Sequence, residues 1–448
     1  MTTRLSRRSL LKSSVALAAA PLVLPRWYAY SPLATLDVAC IGVGGMGGSD
    51  LASVAACRNV RIAALCDVDR NHLDAAAKLH PDAKTFADYR RLFDAMGKEI
   101  DAVVVSTPDH MHGSIAIAAM QLGKHVYCQK PIAHNLYECR RMAELAAKHR
   151  LVTQMGTQIH AHEAYRTAVA TLQSGVLGRI KEAHLWVGKS WAGPANGRPD
   201  KTDPVPAELA WDLWLGVAPE RPFVQDIYHP ANWRGWLDFG SGTLGDMGCH
   251  IFDPVFTALG IGAPLDVVSR GPQHHAETFA GDEDVLYTFP ATERTVGALP
   301  FRWTDGGVAP DVAKAQLPKS VGVTKEGKPK ECKLPGSGSF VVGEKGVMVL
   351  PHWAMPSFYR DGEVLDVELQ QHGARNHYEE WTDACRGEGA TSTPFAYAGP
   401  LTEAVLLGTI AGRFKDRLLK WDSARLRFDH DGANALVKRS YREGWRIE

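Results

Sequence analysis

The sequence lacks an excess of charge of either sign. Its 448 residues include 50 lysines and arginines and 50 aspartates and glutamates, so the formal net charge is zero. Because a phosphate backbone attracts proteins through clustered positive charge, this balance argues against a nucleic acid as partner. The apolar fraction of 45% and the charged fraction of 22% are ordinary for a globular protein. The length favours two domains.

Cysteine is scarce as well. Eight cysteines in a chain of this size do not form a disulfide scaffold, and no C-x-x-C pair is present. Cys40 and Cys66 fall in strand-like apolar runs, whereas Cys57 and Cys139 fall in helical ones, so structural thiols are favoured. No cluster of cysteine and histidine indicates zinc, and we predict no metal site.

The apolar run near the N-terminus, Ser13 to Leu24, is too short for a membrane span. It covers about a dozen residues, whereas a spanning helix needs about 20. Because it follows Ser6-Arg7-Arg8-Ser9-Leu10-Leu11-Lys12, it resembles a twin-arginine export signal. We therefore expect residues 1–35 to be a signal and linker read by the twin-arginine translocation machinery, and the protein to be periplasmic or otherwise exported. An uncleaved signal would tether it to the membrane; the alternative is an accidental arginine pair before an ordinary helix.

From Leu36 onward, apolar strand-like runs alternate with helical patterns, which is typical of a doubly wound parallel sheet. This first α/β domain is predicted to span residues 36–155. Its predicted strands are Val38–Gly42, Arg61–Cys66, Ala102–Ser106, His125–Cys128 and Val152–Met155. Its predicted helices lie near Met46–Ala56, Arg70–Leu79, Tyr89–Met96, Gly113–Leu122 and Leu136–His149.

Residues 156–448 are predicted to form a second α/β domain with a large, open and mostly antiparallel sheet. A helix is expected at Ala164–Ser174, followed by strands at Ile180–Val187, Asp284–Phe289, Val296–Phe301, Ser339–Val342 and Val347–Leu350. Pro310–Lys333 is rich in lysine and proline and is interpreted as a surface insertion. Pro400–Leu419 is predicted to be a terminal helix (400–419) that could pack back on the first domain.

A glycine-rich motif follows the first predicted strand and opens a helix, which is the context in which G-x-G-x-x-G binds a dinucleotide. It reads Gly42-Val43-Gly44-Gly45-Met46-Gly47. Gly42 permits a tight turn, Gly44 lets backbone approach a pyrophosphate, and Gly47 allows close packing of helix and strand. The alternative is a set of glycines that serve only a turn.

Asp67 ends the next predicted strand, 20 residues after Gly47. A carboxylate there would accept hydrogen bonds from ribose hydroxyls and repel a 2′-phosphate, so NAD is favoured over NADP, although Arg70 keeps NADP open. Ser106-Thr107-Pro108 follows another strand and could line the nicotinamide and ribose. For His110 and His112, a capping or packing role competes with a cofactor contact.

Four motifs together carry a family resemblance: the glycine motif, S-T-P-x-x-x-H at Ser106–His112, Q-K-P at Gln129–Pro131, and Gly242–Asp253. They resemble the glucose–fructose oxidoreductase/inositol dehydrogenase/MocA family over essentially the whole chain after the signal. The resemblance implies a Rossmann domain joined to an α/β domain whose open sheet often mediates oligomerisation, so a homo-oligomer (dimer or tetramer) is expected. It also implies that Gln129 and Lys130 lie beside the nicotinamide. Gln129 replaces the family's glutamate, which removes a carboxylate next to Lys130.

The candidate catalytic residues are Lys130, Asp246 and His250. Oxidation of a secondary alcohol needs a base for the hydroxyl proton and a cation near the developing alkoxide. His250 is predicted to be the base, and Asp246, four residues earlier, would orient its imidazole from the same helix face. Pro254 would break a helix there, so the pair could occupy an irregular first turn. The alternative is a buried Asp–His contact without catalysis.

Aromatic residues crowd the segment before Asp246, and flat apolar rings stack on pyranose faces. Arg234 and Asn232 could bind hydroxyls or a carboxylate, whereas many of the aromatic residues could instead be core. Residues at the start of the second domain could approach the substrate from the opposite wall. The predicted substrate contacts are His160, Tyr165, Arg166, Trp191, Tyr228, Trp233, Arg234 and Asp253.

The expected function is an oxidoreductase that moves hydride between a sugar or polyol carbinol carbon and a tightly bound NAD. Because no recyclable pool of free NAD is expected outside the cytoplasm, we hypothesise that the cofactor is folded in before export and regenerated within each cycle. A redox-neutral, NAD-dependent glycosidase that works through a keto-sugar is the first alternative. A non-catalytic sugar-binding protein on the same fold is the second.

Overall fold

The computed structural model describes residues 34–323, 325 and 327–446. The twin-arginine motif and the apolar run that follows it therefore lie outside the described residues. Within the described chain, two sheets of different construction organise the molecule.

The first sheet has six parallel strands in the order β3-β2-β1-β4-β5-β6. Its inner strands are short runs of valine, alanine and other apolar residues that are buried on both faces, as parallel sheets require. The short β3 was not predicted, because its three residues are mostly exposed and lack an apolar pattern. The strands are β1 (Leu36–Ile41), β2 (Val60–Cys66), β3 (Lys84–Phe86), β4 (Ala102–Val105), β5 (His125–Gln129) and β6 (Thr153–Gly156).

Helices of the first domain follow the strands in the doubly wound pattern. Asp69, Asp88 and Asn135 cap three of them by accepting hydrogen bonds from first-turn N–H groups. The helix after the glycine motif has no side-chain cap. The helices are α1 (Met46–Ala55), α2 (Arg70–Leu79), α3 (Tyr89–Met96), α4 (Asp109–Gln121) and α5 (Leu136–His149).

The second sheet has ten strands in the order β16-β15-β14-β13-β7-β10-β9-β8-β17-β18. Only β7 and β10 pair in parallel; the other neighbours are antiparallel. The predicted fold class is therefore confirmed. The strands are β7 (Ile180–Val187), β8 (Asp266–Ser269), β9 (Asp284–Phe289), β10 (Leu299–Asp305), β13 (Ser337–Gly343), β14 (Val347–Pro351), β15 (Ser357–Arg360), β16 (Glu363–Val364), β17 (Leu419–Asp422) and β18 (Arg427–Phe428).

Three predicted segments of this domain needed correction, and the terminal helix is the third. The strand expected at 296–301 begins only at Leu299, because Thr295 Oγ1 donates to the Gly297 carbonyl (2.8 Å) and holds a turn before it. The expected insertion at 310–333 is largely exposed but carries a 3₁₀ turn at Val312–Ala315 and a separate small hairpin. The hairpin strands are β11 (Ser320–Val323) and β12 (Pro329–Glu331).

In the second domain, the helices Gly242–Ile251 and Phe395–Ala411 contact strands of the large sheet, whereas His377–Cys385 packs on α1 of the first domain. The predicted terminal helix (400–419) actually spans Phe395–Ala411, with Pro400 in its second turn, and is buried along most of its length between α5 and the Gly242–Ile251 helix. No helix in the described chain is both long and apolar enough to cross a membrane. The helices are α6 (Glu163–Gln173), α7 (Trp211–Leu215), α8 (Gly242–Ile251), α9 (Asp253–Leu259), α10 (His377–Cys385), α11 (Phe395–Ala411) and α12 (Asp431–Asn434).

Two segments of the second domain return to the carboxyl edge of the parallel sheet. Residues 188–241, between β7 and α8, are bonded to the loop after β2, where the Arg70 N–H donates to the Glu208 carbonyl (2.9 Å). The C-terminal residues after α12 reach α3, where the Arg90 guanidinium lies 3.9 Å from the ring centre of Trp445. These segments form a roof over the sheet edge at which ligands of doubly wound folds bind.

Candidate active site

A cavity of about 690 Å³ lies along that sheet edge, beneath the roof. Its walls combine residues from the glycine motif, the ends of β2, β4 and β5, the roof and α8. The predicted site residues that line it are Gly42, Gly44, Gly45, Met46, Asp67, Ser106, Thr107, Pro108, His112, Gln129, Lys130, Trp233, Arg234, Asp246 and His250. The structure thus brings the predicted cofactor and catalytic groups together in one space.

The glycine motif has the shape that a pyrophosphate requires. Gly42 has a φ of +81°, and a Cβ there would lie 2.7 Å from the Ser106 backbone. Gly47 packs beneath the loop, where a Cβ would lie 2.0 Å from the Gly42 carbonyl oxygen. Because α1 has no side-chain cap, its N-terminal N–H groups are available to an anion. These residues fit a dinucleotide.

Asp67 lies at the end of β2 and faces the same cavity. Its carboxylate accepts hydrogen bonds from the N–H of Val43 (2.8 Å) and of Asp69 (2.9 Å). Burial raises the pKa of the Asp67 carboxyl, and these two N–H groups oppose that effect. The carboxylate is thus tied to the glycine loop, where a ribose attached to the bound pyrophosphate would lie.

A buried carboxylate that the sequence analysis did not single out links the S-T-P and Q-K-P segments. Asp50, on α1, is fully buried and accepts hydrogen bonds from Ser106 Oγ (2.6 Å), Gln129 Nε2 (2.9 Å) and Tyr378 Oη (2.8 Å). Burial raises the pKa of Asp50, and these donors oppose that rise. Gln129, which replaces the family's glutamate, is therefore paired with a carboxylate supplied by helix α1.

Lys130 is held by Asp246. Its Nζ donates to Asp246 Oδ1 (2.8 Å) and to the Asp246 main-chain oxygen (2.8 Å). Asp246 also accepts from Trp191 Nε1 (2.7 Å). Burial opposes ionisation of Asp246, but Lys130 and Arg234 outweigh burial and hold the pKa of its carboxyl well below the ordinary value.

His250 has a different partner from the one predicted. Asp246 and His250 share the regular helix α8 rather than an irregular turn, and Pro254 falls in the first turn of the separate α9, as its missing N–H favours. The two carboxylate oxygens of Asp246 are bonded elsewhere, and His250 Nδ1 lies 3.3 Å from Thr157 Oγ1. The predicted orientation of the imidazole by Asp246 is therefore wrong.

The His250 imidazole is suited to accept a proton. Burial, followed by the charge of Lys130, lowers the pKa of His250 well below its ordinary value, so the ring is neutral near pH 7. Among the described residues, hydrogen bonds engage its Nδ1 and leave Nε2 without a protein partner. Nε2 is thus the candidate base at the cavity wall.

The two histidines after β4 serve mainly to fix loops. His112 bridges the carbonyl oxygens of Thr107 and Pro131, each at 2.7 Å, and so joins the S-T-P and Q-K-P loops. His110 lies 3.0 Å from the Trp214 carbonyl oxygen and is fully buried. Of the two, only His112 lines the cavity.

Several predicted substrate contacts lie elsewhere. Tyr228 is fully buried among the aromatic rings of the roof, so its predicted contact with substrate is wrong. Asp253 is also buried and its carboxylate binds His160 Nδ1 (2.8 Å); neither residue lines the cavity. Tyr165 donates to or accepts from His352 Nδ1 (2.9 Å), and Arg166 bonds to the Gly373 carbonyl oxygen.

Other residues near the centre were not predicted. His352 lies with its ring centre 5.9 Å from that of His250, and the exposed Trp353 follows it. Lys189 Nζ lies 3.3 Å from Asp246 Oδ2. Tyr89 and Trp445 line the cavity. Of these residues, only Lys189 could have been located from the sequence, because it follows a predicted strand. Tertiary folding brings the others to the site.

Comparison with known proteins identifies the two domains. The model for the NAD-binding Rossmann fold of an oxidoreductase family, GFO/IDH/MocA, matches residues 36–157. The model for the C-terminal alpha/beta domain of the same family matches residues 172–296. The two matches together cover more than half of the chain.

Among curated relatives, an inositol 2-dehydrogenase of Salmonella typhimurium is 28% identical over 153 residues, which are 34% of this chain and 45% of that protein. A glycosyl hydrolase family 109 protein of Solibacter usitatus is 37% identical over 119 residues, which are 25% of this chain and 27% of that protein. The chain thus spans less than half the length of these relatives.

A solved structure supports the fold. The aldose–aldose oxidoreductase of Caulobacter crescentus, complexed with glycerol, superposes with a TM-score of 0.57 at 16% identity, covering 86% of this chain and all of that one. This likeness extends over both domains. With both family models matched in order and the dinucleotide cavity between them, the chain belongs to the glucose–fructose oxidoreductase/inositol dehydrogenase/MocA oxidoreductase family.

Proposed function

We propose that this protein is an NAD-dependent oxidoreductase that moves hydride between a carbinol carbon of a sugar or polyol and a retained nicotinamide cofactor. The observation that carries the proposal is that the Lys130–Asp246 ion pair (2.8 Å) and the neutral His250 line the same cavity as the glycine motif. The inositol dehydrogenase among the relatives supports a polyol or sugar as substrate.

In alcohol oxidation, different side chains of this protein would carry out different steps. Bound NAD supplies the hydride acceptor. Nε2 of His250 takes the hydroxyl proton, and the Lys130 ammonium stabilises the oxygen as it gains negative charge. Asp246 fixes Lys130, and Thr157 holds the His250 ring from the opposite nitrogen. In the reductive direction, His250 returns the proton to the same oxygen.

The roof supports a cofactor that stays bound. Trp445 and Tyr89 line the cavity at one end, and His229 of the roof lies 2.9 Å from Asp69 Oδ2, so exchange of the cofactor requires the roof to move. We infer that residues 1–35 are a twin-arginine signal, as Arg7-Arg8 before the apolar run suggests, and that the protein is exported with its cofactor. Regeneration within each cycle would then replace a free pool of NAD.

Two redox-neutral reactions would regenerate the bound NAD within each catalytic cycle. In a dismutation, one sugar is oxidised and another reduced, as the name of the Caulobacter structure describes for that protein. In a glycosidase, oxidation to a keto-sugar acidifies the neighbouring C–H, the aglycone leaves, and the hydride returns. The family 109 relative favours keeping this second candidate.

The test is to assay the purified protein on sugars, polyols and aryl glycosides with and without added NAD. We expect turnover without added NAD and bound dinucleotide in native mass spectra. Aglycone release without net NADH would favour the glycosidase, whereas stoichiometric NADH would exclude it. If Lys130→Ala and His250→Ala leave every activity and ligand response unchanged, the protein is a non-catalytic sugar-binding member and the proposal fails.

We also propose a homo-oligomer, a dimer or tetramer, because the ten-stranded sheet is open and the family resemblance implies that such a sheet often mediates oligomerisation. Light scattering of the purified protein tests this, and a monomer at micromolar concentration would contradict it.

A further inference from the structure

Positive charge exceeds negative charge around Asp246. Three cations share this one carboxylate: Nζ of Lys130 at 2.8 Å, Nζ of Lys189 at 3.3 Å and Nε of Arg234 at 3.4 Å. Asp246 can neutralise only one of them. The nearby Asp109 compensates only in part, because burial raises the pKa of its carboxyl to about 7. A net positive charge therefore remains beside the candidate catalytic groups.

The two surplus cations are placed where a ligand can reach them. Side-chain exposure rises from 16% for Lys130 to 25% for Arg234 and 46% for Lys189. Arg234 lines the cavity, and Lys189 reaches the same carboxylate from outside the cavity lining. The Arg234 guanidinium is held 4.3 Å from the ring centre of Trp233. Its Nε and Nη1 are hydrogen-bonded, whereas no hydrogen bond among the described residues engages Nη2, which can donate to a ligand anion.

Aromatic surface accompanies these charges. Trp191 lies 5.2 Å below Lys189 Nζ, and its own N–H holds Asp246. Trp353 is 53% exposed and has a φ of +69°, a left-handed conformation that is costly for a large side chain. Its ring centre lies 5.3 Å from that of His352, which in turn lies 5.9 Å from that of His250. The half-buried indole of Trp191 and the exposed indole of Trp353 are flat apolar surfaces that suit the faces of a sugar ring.

We propose that the substrate is a sugar acid, whose carboxylate binds Lys189 and Arg234 while its carbinol lies between Lys130 and His250. This assignment rests on the proposed function, and it narrows the sugar or polyol class to its anionic members. A neutral sugar would leave the two cations uncompensated in a partly buried site, which is unfavourable. A sugar phosphate shares this attraction, because lysine and arginine bind phosphate as well as carboxylate, so the binding panel has to distinguish the two anions.

The test is calorimetric binding to the NAD-loaded protein. The probes are matched neutral and acidic sugars: glucose with glucuronate and gluconate, galactose with galacturonate, and glucose 6-phosphate. We expect at least one acid to bind about tenfold more tightly than its neutral partner. Lys189→Met should remove most of that preference and leave the affinity for the neutral sugar within about twofold. Lys181→Met, at the exposed start of the same strand, should leave the preference unchanged.

The outcomes separate the two proposals. A panel in which no acid binds more tightly than its neutral partner, including one in which nothing binds, overturns the inference, as does tightest binding of the phosphate. A preference that Lys189→Met leaves intact also overturns it. If neutral sugars reduce the bound nicotinamide and acids do not, the proposed function stands without the inference. If acids bind through Lys189 but no hydride moves, the inference stands and the proposed function fails.

Discussion

At the scale of single residues, Asp246 and His250 act through different partners although they share one helix face. Asp246 binds Lys130, Trp191 and two further cations, whereas His250 contacts Thr157. The carboxylate thus fixes Lys130 Nζ, which in the proposed reaction would lie near the developing alkoxide, and the imidazole stays neutral. Its low pKa is a direct consequence of burial and of the Lys130 charge.

The first prediction concerns pH. Because the pKa of His250 is lowered, the ring protonates only below about pH 6.5, the ordinary histidine value. The acidic limb of kcat/KM should therefore lie below pH 6.5, and activity should be lost as the pH falls through the lowered pKa. Steady-state kinetics across pH measure this. The control variant, His250→Gln, should lose activity and with it the acidic limb of the kcat/KM profile. An acidic limb of the wild type at or above pH 6.5 would contradict the assignment of His250 as the base.

The second prediction concerns the buried carboxylate. Gln129→Glu places two carboxylates about 3 Å apart, so we expect the unfolding free energy to fall by about 2 kcal/mol and kcat/KM to fall about tenfold. In Asp50→Asn/Gln129→Glu the amide and the carboxylate exchange places, so most of both losses should be recovered. Chemical denaturation and kinetics complete the double-mutant cycle. If the double variant loses as much as the two single variants summed, Asp50 does not act through Gln129.

At the scale of elements, the glycine turn and α1 set the cofactor end of the cavity. The backbone of Gly42 lies against Gly47 because Gly47 has no Cβ. This contact brings the start of α1 against the end of β1. The arrangement presents helix N–H groups at the cavity wall, and it leaves no space for a side chain under the loop.

The third prediction follows from this contact. In Gly47→Ala the new Cβ would lie 2.0 Å from the Gly42 carbonyl oxygen, so the loop must shift and NAD affinity should fall at least about tenfold. Gly48→Ala is the matched control, because its Cβ would lie 3.2 Å from the Val43 carbonyl oxygen and need only a small adjustment. Calorimetry of the cofactor-stripped variants compares them. Equal affinities for NAD would show that the loop does not hold the pyrophosphate.

Local patterns predicted most elements of this chain, but not the contacts between them. Ile180–Val187 and Asp284–Phe289 were predicted with their observed bounds, because alternating or continuous apolar runs report burial directly. The glycine motif and Q-K-P are also local, and they located Lys130. Asp50 sits in an ordinary stretch of helix, and the donors to its carboxylate, which include Ser106, Gln129 and Tyr378, come from segments far apart in the chain. The spacing of these residues in the sequence does not predict such a hydrogen-bond network.

At the scale of the whole molecule, the roof makes the cofactor cavity a shared property of both domains. Residues 188–241 and the C-terminal segment belong to the second domain and close over the first. The predicted division into two domains therefore assigns each sheet correctly to one domain, but the cavity is built by residues of both. The long-range return of Trp445 could not be read from its sequence neighbourhood, because one aromatic residue near a terminus carries no positional signal.

The fourth prediction concerns cofactor release. Trp445→Ala should speed dissociation of the bound dinucleotide about tenfold, because the ring lines the cavity and is held by Arg90. Trapping of released cofactor by a scavenging dehydrogenase measures the rate on the purified protein. Trp353→Ala, which removes an indole outside this cavity wall, should leave the rate unchanged. An unchanged rate in Trp445→Ala would mean that the C-terminal segment does not retain the cofactor.

The most direct test of the central claim is a single-turnover experiment on the NAD-loaded protein. Reduction of the bound nicotinamide is followed by its absorbance after mixing with the sugar, polyol and sugar-acid panel, in the wild type, Lys130→Met and His250→Gln. We predict reduction in the wild type and rates lower by about 100-fold or more in both variants, with the dinucleotide still bound. Unchanged rates in either variant, or no reduction by any compound in the wild type, would contradict the account.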